Sequence, residues 1–339
     1  MDLRMLWFGL IAILFTGFFV LEGFDFGVGI LLPFLGRDDS ERRMIYNSIG
    51  PFWDGNEVWL ITTGGAIFAA FPALYAALFS GFYLEMFAIL VALVLRGAAF
   101  EFRSRRESVR WRSFWDWTMF AGSLLPCFFW GVIISNLLRG LPIDAGMNYV
   151  GGIWNLLNPH ALLYGLLFVL VFTMHGAVFL TLRVTGALLE RARRAAQWFA
   201  FPALIMTLLF LIWSFFVSPT IHSAFASPQI APLSFLSLAT LIAVPFLLKK
   251  QLSGLAFLMT SLTIVLTAAS IGLGLFPHVI LSSLNPAWSL TINNTSSSPY
   301  TLTVMSWLAL TLLPFVLAFE AWSYWVFHKR LDPRTRGHY

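Results

Sequence analysis

The sequence predicts an all-α polytopic membrane protein. Nine transmembrane helices are expected, arranged as two four-helix bundles plus one peripheral helix, with the N-terminus outside and the C-terminus cytoplasmic. Three observations carry this. The 339-residue chain is 59% apolar and only 11% charged, too little charge to coat a soluble fold of that size; its mean hydropathy is +0.80. Apolar runs of membrane-span length recur along the whole sequence. The basic residues are sorted by side: the loops after every odd-numbered span hold 18 of the 21 Lys and Arg residues, while the opposite loops hold Arg4 and Arg139.

Span 1 is expected at 6–32, closed by Pro33 and Gly36, and the short loop GRDDSERR follows. The start of the chain lacks a strongly basic segment and a small-residue cleavage site, so span 1 reads as uncleaved. Span 2 is expected at 52–71, stopped by Pro72, and span 3 at 76–100. A basic loop, 103–112, leads to span 4 at 114–138. The Gly- and Asn-rich segment 139–159 reads as a loop, then span 5 covers 161–182 and a basic loop covers 183–194. Span 6 is expected at 199–217, a Ser/Pro-rich loop at 218–232, and span 7 at 233–248, ended by Lys249 and Lys250. Span 8 covers 254–276, a Ser/Asn/Thr-rich loop 277–299, span 9 302–327, and a basic tail reaches Tyr339. Trp7, Trp154, Trp288 and Trp325 near span ends suit interfacial anchors. The whole of 1–339 reads as one integral membrane domain, without a strong internal repeat.

The chemistry concentrates in the first half. Span 2 opens with Trp53-Asp54-Gly55-Asn56-Glu57, and each charge inside a bilayer costs roughly 2.5–3.5 kcal/mol on insertion scales. Asp54 and Glu57 are three residues apart and share a helical face, as do Glu22 and Asp25 in span 1. Gly64-Gly65 lowers helix propensity but permits close helix approach. With the orientation above and about 1.5 Å of rise per residue, Glu22, Asp25, Asp54 and Glu57 all fall on the cytoplasmic side. Arg96, near the inner end of span 3, is placed to pair with one of them. Such a gathering reads either as a polar channel that admits protons from the cytoplasm or as a structural ion-pair network. Glu85, eleven residues before Arg96, faces roughly the same way but in the outer half; it reads either as a deeper station of the same polar path or as a residue packed against a polar neighbour, the second being favoured. Glu101, Asp116 and Glu320 sit close to the inner interface and read as interfacial acids.

Other function classes are disfavoured. The net charge of +5 comes from short basic loops and does not suggest nucleic-acid binding. The one cysteine, Cys127, lies in an apolar run and reads as a small core residue. Of six histidines only His175 lies well inside a span, whereas a bis-histidine haem needs two imidazoles on facing helices; His175 reads as a hydrogen-bonded core residue. Walker, Rossmann and nucleophile-elbow patterns are missing from the sequence.

Several segments together carry a resemblance: Glu22-Gly23-Phe24-Asp25-Phe26-Gly27-Val28-Gly29, Asn47-Ser48-Ile49, the block WDGNEVWLIT at 53–62, Gly64-Gly65-Ala66, Phe79-Ser80-Gly81-Phe82-Tyr83, Trp115-Asp116-Trp117, Leu156-Leu157-Asn158-Pro159, and Leu302-Thr303-Val304-Met305 to Trp322. In these the chain resembles subunit II of the bacterial cytochrome bd quinol oxidases, over essentially its whole length. The resemblance implies a complex of the bacterial inner membrane that oxidises quinol outside, reduces oxygen to water and takes its protons from the cytoplasm without pumping. It implies a partner, subunit I, that bears the b- and d-type haems, and it allows for a small single-span accessory subunit. It also implies that this chain is haem-free, that Asp25 and Asp54 stand in a cytoplasmic proton path, and that a structural quinone is a ligand to look for. Two departures stand out: the loop 218–232 is short for the long members of the family, and position 57 is Glu where some relatives have Gln, which adds a titratable group beside Asp54. A proton-coupled secondary transporter is the competing class; matched midplane sites in two halves would support it, but the acids crowd one half and one side.

Overall fold

The computed structural model describes residues 2–332. Its helices are α1 (Leu3–Leu35), α2 (Asp39–Ile49), α3 (Trp53–Ala70), α4 (Pro72–Gly81), α5 (Tyr83–Phe102), α6 (Val109–Arg139), α7 (Ile153–Leu156), α8 (Pro159–Arg183), α9 (Gly186–Val217), α10 (Pro219–Ala226), α11 (Ala231–Lys249), α12 (Ser253–Leu275) and α13 (Pro299–Val326). A small antiparallel pair, β1 (His278–Ile280) and β2 (Leu290–Thr291), folds the loop before α13. Among the described residues eight helices are long and apolar enough to cross a membrane: α1, α5, α6, α8, α9, α11, α12 and α13. The chain is therefore a multi-pass helical membrane protein. The second expected span, α3, is not one of the eight. It has 18 residues, about 27 Å of rise, and its first two turns carry Asp54 and Glu57.

Other boundaries also differ from expectation. The stretch expected as continuous at 76–100 is broken at Phe82, which leaves helical geometry between α4 and α5. The segment after span 1 is not a plain loop. Asp38 caps α2 by accepting from the Glu41 amide at 2.9 Å, and α2 turns Met44, Ile45, Tyr46 and Ile49 inward. The basic stretch 183–194 is largely the start of α9, because GALLERARRAA is rich in strong helix formers. The loop 218–232 contains α10. Trp7 is buried rather than an interfacial anchor: its indole N–H donates to Ser306 Oγ at 3.1 Å, tying α1 to α13. Trp154 and Trp325 are exposed, and Cys127 is buried.

Helix α1 is the hub. It lies against α3, α6, α8 and α12, while α5 pairs with α6, α8 with α9, and α11 with α12. The α1–α8 contact is backbone on backbone. A Cβ on Gly27 would fall 1.9 Å from the Phe172 carbonyl oxygen, and one on Gly176 would fall 2.5 Å from the Gly27 carbonyl carbon. Helix α13 lies against α1 and α3 and turns most of its surface outward. Its end is held by Arg183, which donates to the Phe327 and Lys329 carbonyls, and by Leu331 N, which donates to Arg183 O at 2.7 Å. The rest of the basic tail, with Arg334, Arg336 and His338, lies outside the described residues.

On the face that carries most of the basic residues, an ion-pair network joins α2 to the α5–α6 turn. Asp39 meets Arg43 at 2.9 Å, Arg103 at 3.0 Å and Arg112 at 3.0 Å. Asp116, read as an interfacial acid, is instead buried between Arg103 at 2.6 Å and Arg42 at 2.7 Å. Partial burial opposes ionisation of Asp39, but Arg103, Arg112 and Arg43 outweigh it and hold its carboxyl below the usual range.

Two outcomes are expected. Gly27→Ala forces α1 from α8 and lowers the melting temperature of the detergent-solubilised chain, because neither backbone can yield cheaply; overpacking costs about 1–3 kcal/mol. Gly9→Ala, on the same helix with open space around it, leaves the melting temperature unchanged. Asp39→Asn lowers stability at neutral pH. Since the folded Asp39 protonates below its unfolded value of about 3.9, the gap between wild type and variant persists above about pH 4 and closes as the pH falls through the folded value. Melting curves between pH 7 and pH 3 read this directly.

Candidate functional site

Where α1, α3 and α5 meet, one turn of each delivers a charged side chain to the same buried volume. From α1 come Glu22 and Asp25, both fully buried. From α3 comes Glu57, whose side chain is 19% exposed, and from α5 comes Arg96, which is fully buried. Arg96 Nη2 pairs with Glu57 Oε1 at 2.6 Å and with Glu22 Oε1. The Phe26 ring lies under the guanidinium, 5.2 Å from centroid to Cζ, a cation–π contact that compensates part of its lost hydration. Thus Arg96 bridges two carboxylates, where one partner was expected.

Asp25 is held differently. Asn56 Nδ2 donates to Asp25 Oδ2 at 2.7 Å, and Tyr324 on α13 donates its hydroxyl proton to Asn56 Oδ1 at 2.9 Å. Tyr324 itself stacks flat on Phe52, centroids 4.3 Å apart. Several buried polar atoms of the cluster have no hydrogen-bond partner among the described residues: Glu22 Oε2, Asp25 Oδ1, Arg96 Nε and Arg96 Nη1. Three carboxyl groups share one guanidinium, so the cluster reaches electrical balance with two of the three protonated. Charge imbalance in a buried site is costly, so the charge state of each carboxyl depends on the others.

Asp54 stands apart. The helix turn that sends Asn56 and Glu57 inward leaves Asp54 exposed, in an open cleft with Trp53, Glu101, Arg105 and Phe327. Of the five residues singled out in the sequence, four come together and Asp54 lies outside them. Sequence reasoning gave no role to Asn56 and did not single out Tyr324. The neighbourhood of two acids was a signal for Asn56; nothing local marks Tyr324. Glu320, one turn before Tyr324, is half-buried, with its carboxylate 3.2 Å from where a Cβ on Gly55 would stand. Glu85 is buried, and its Oε1 has no hydrogen-bond partner among the described residues.

The buried histidines are committed elsewhere. His175 Nδ1 is bonded to Thr260 Oγ1 at 2.7 Å and Nε2 to the Val20 carbonyl at 3.0 Å. His160 is bonded to Ser135 at 2.8 Å and to Ser214 at 2.8 Å. With both ring nitrogens engaged, neither imidazole fits a haem iron.

The fold and this cluster define a class: a multi-pass helical protein with three acids gathered around one buried arginine among its helices. The sequence matches the family model of cytochrome bd terminal oxidase subunit II over residues 3–327, and the chain belongs to that family. It is 45% identical over 336 residues to cytochrome bd ubiquinol oxidase subunit 2 of Bacillus subtilis (strain 168), covering 98% of this chain and 97% of the relative. It is 39% identical over 360 residues to cytochrome bd-I ubiquinol oxidase subunit 2 of Escherichia coli (strain K12), covering 97% and 95%. Its fold is similar to a chain in the structure of bd oxidase from Geobacillus thermodenitrificans, with a TM-score of 0.78 at 18% identity, covering 96% of this chain and 99% of that one.

Removing the cation tests the electrostatic account. Arg96→Leu leaves Glu22 and Glu57 without their counter-charge and destabilises the protein by about 3–5 kcal/mol. Adding Glu22→Leu to Arg96→Leu recovers part of that loss, measured as the unfolding midpoint in mixed micelles.

Proposed function

We propose that this chain is the haem-free subunit of a bacterial inner-membrane quinol oxidase, paired with a haem-bearing subunit I, and that it passes protons from the cytoplasm toward that partner. In this reading α3 is the second of nine spans, the N-terminus faces outward, and α13 flanks two sets of four helices. The observation that carries it is the cluster of Glu22, Asp25, Glu57 and Arg96, because three carboxyls around one guanidinium hold two protons at neutrality, and these can pass from one carboxyl to the next without changing the net charge of the cluster. Asp54 collects protons in the open cleft, Glu57 and Glu22 exchange them beside Arg96, and Asp25 passes them on. The engaged ring nitrogens of His160 and His175 support leaving redox chemistry to the partner subunit, where bound haem supplies electron transfer and oxygen reduction.

A second ligand class is supported by a cavity of about 300 Å³ between α1, α6, α8, α9, α11 and α12, lined by Phe15, Phe19, Trp130, Phe172 and Phe210, with the mutually bonded hydroxyls of Ser237 and Thr267 in its wall. Its apolar wall and few hydroxyl donors suit a structural quinone, which would brace the helices. A small single-span accessory subunit belongs to the same proposal.

The test is to tag this chain, purify it gently from its native membrane and record the reduced-minus-oxidised spectrum. Haem bands carried by a second copurifying polypeptide are expected; a colourless single polypeptide under conditions that keep complexes intact overturns the oxidase reading. In the purified complex Asp25→Asn retains haem content but slows quinol-driven oxygen consumption at least tenfold, because an amide cannot relay a proton. Unchanged turnover removes Asp25 from the path.

A further inference from the structure

The peripheral helix α13 would be expected to do little more than face lipid, yet one side of it reaches the acid cluster. Tyr324 and Glu320 are one turn apart on that side. Gly55 offers no side chain to block them, and Tyr324 is set by its stack on Phe52. The hydroxyl of Tyr324 donates to Asn56 Oδ1, and Asn56 Nδ2 donates to Asp25 Oδ2 and, at 3.4 Å, to the Leu21 carbonyl. An amide has one acceptor end and one donor end. With the Tyr324 hydroxyl donating to the acceptor end and the Leu21 carbonyl accepting from the donor end, the NH₂ group faces Asp25. Without that hydroxyl the acceptor end is released, and only the long 3.4 Å bond to the Leu21 carbonyl keeps the amide from turning its oxygen toward Asp25. At Asp25, Oδ2 is occupied by the clamp while Oδ1 is buried with no partner among the described residues.

We infer that Tyr324 is a positioning residue that locks the Asn56 amide toward Asp25, so that Asp25 gains and loses its proton at Oδ1 while Oδ2 stays bonded to Asn56. The step balances simply: a proton adds to Oδ1, the carboxyl double bond localises to Oδ2, and the reverse releases the proton to the next acceptor. Asn56 is a clamp and not a carrier, because its side-chain amide is neutral and does not titrate. This rests on the proposed role of Asp25 but is read out separately from it. Other ionisable groups face the same volume: Glu22 from α1, Glu57 from α3, Arg96 from α5 and Glu320 from α13. The signal of Asp25 must therefore be isolated by substitution.

The experiment is infrared difference spectroscopy, acid minus neutral, on the purified complex. The carboxyl C=O band missing in Asp25→Asn is the band of Asp25. A C=O that loses an accepted hydrogen bond absorbs at higher wavenumber. In Tyr324→Phe, which keeps the ring stack and removes only the hydroxyl, the Asp25 band is expected to move up. Asn56→Leu is expected to move it likewise, and Tyr324→Phe added to Asn56→Leu is expected to change nothing more. An unmoved band in Tyr324→Phe overturns the inference. So does a further shift in the double variant, the lack of any Asp25-dependent band, or failure of Tyr324→Phe complexes to accumulate, which would make the residue architectural. Because the band reports hydrogen bonding whether or not turnover depends on Asp25, a negative result here is distinct from unchanged turnover in Asp25→Asn.

Discussion

A guanidinium with no access to water must be surrounded by acceptors, and the position of Arg96 imposes that condition on three helices at once. Helix α5 carries the cation, α1 must present Glu22 to it, and α3 must present Glu57. Each helix is thereby fixed in rotation as well as in depth, since a turn of one residue would remove a carboxylate by about 100° of arc. Breaking such a pair leaves a buried charge unpaired, which costs more than the pair itself contributes. The remaining packing of the first half is compatible with that geometry: Phe26 supplies the face beneath Arg96, and Gly27 lets α1 rest directly on α8.

Between α11 and α12 the second half buries polar groups without charge. Hydroxyls pair across the interface: Ser234 with Ser270 at 2.7 Å, Ser237 with Thr267 at 2.7 Å, and Thr240 with Thr263 at 2.8 Å. His175 ends that series through Thr260. Neutral hydrogen bonds of this sort give helices a defined register at modest energy, about 1 kcal/mol each or less in membranes. The contrast runs through one chain: one half gathers acids around a buried guanidinium, the other holds its helices with neutral hydrogen bonds around an apolar cavity. The rim network of Asp39, Arg103, Arg112 and Asp116 then anchors α2 and the α5–α6 turn.

Membrane character, most span positions and the crowding of acids into the first half were legible in the sequence, because a bilayer sets helix length and penalises charge in ways that one dimension records. The family resemblance was legible because the block around Asp54 combines polar and aromatic residues that apolar helices do not repeat by chance. The break at Phe82, the surface helix α2 and the burial of Trp7 were not, since each depends on neighbours distant in the chain.

The sequence by itself determined that Glu22, Asp25, Glu57 and Arg96 would be costly and would require company, since spacing and hydropathy suffice for that. Only the tertiary structure decided who the company was. It turned Asp54 outward although it lies two residues from Asn56, because a helix rotates successive side chains by about 100°. It also brought Tyr324 to Asn56 across 268 residues of chain, a contact that helix packing creates and no local pattern encodes.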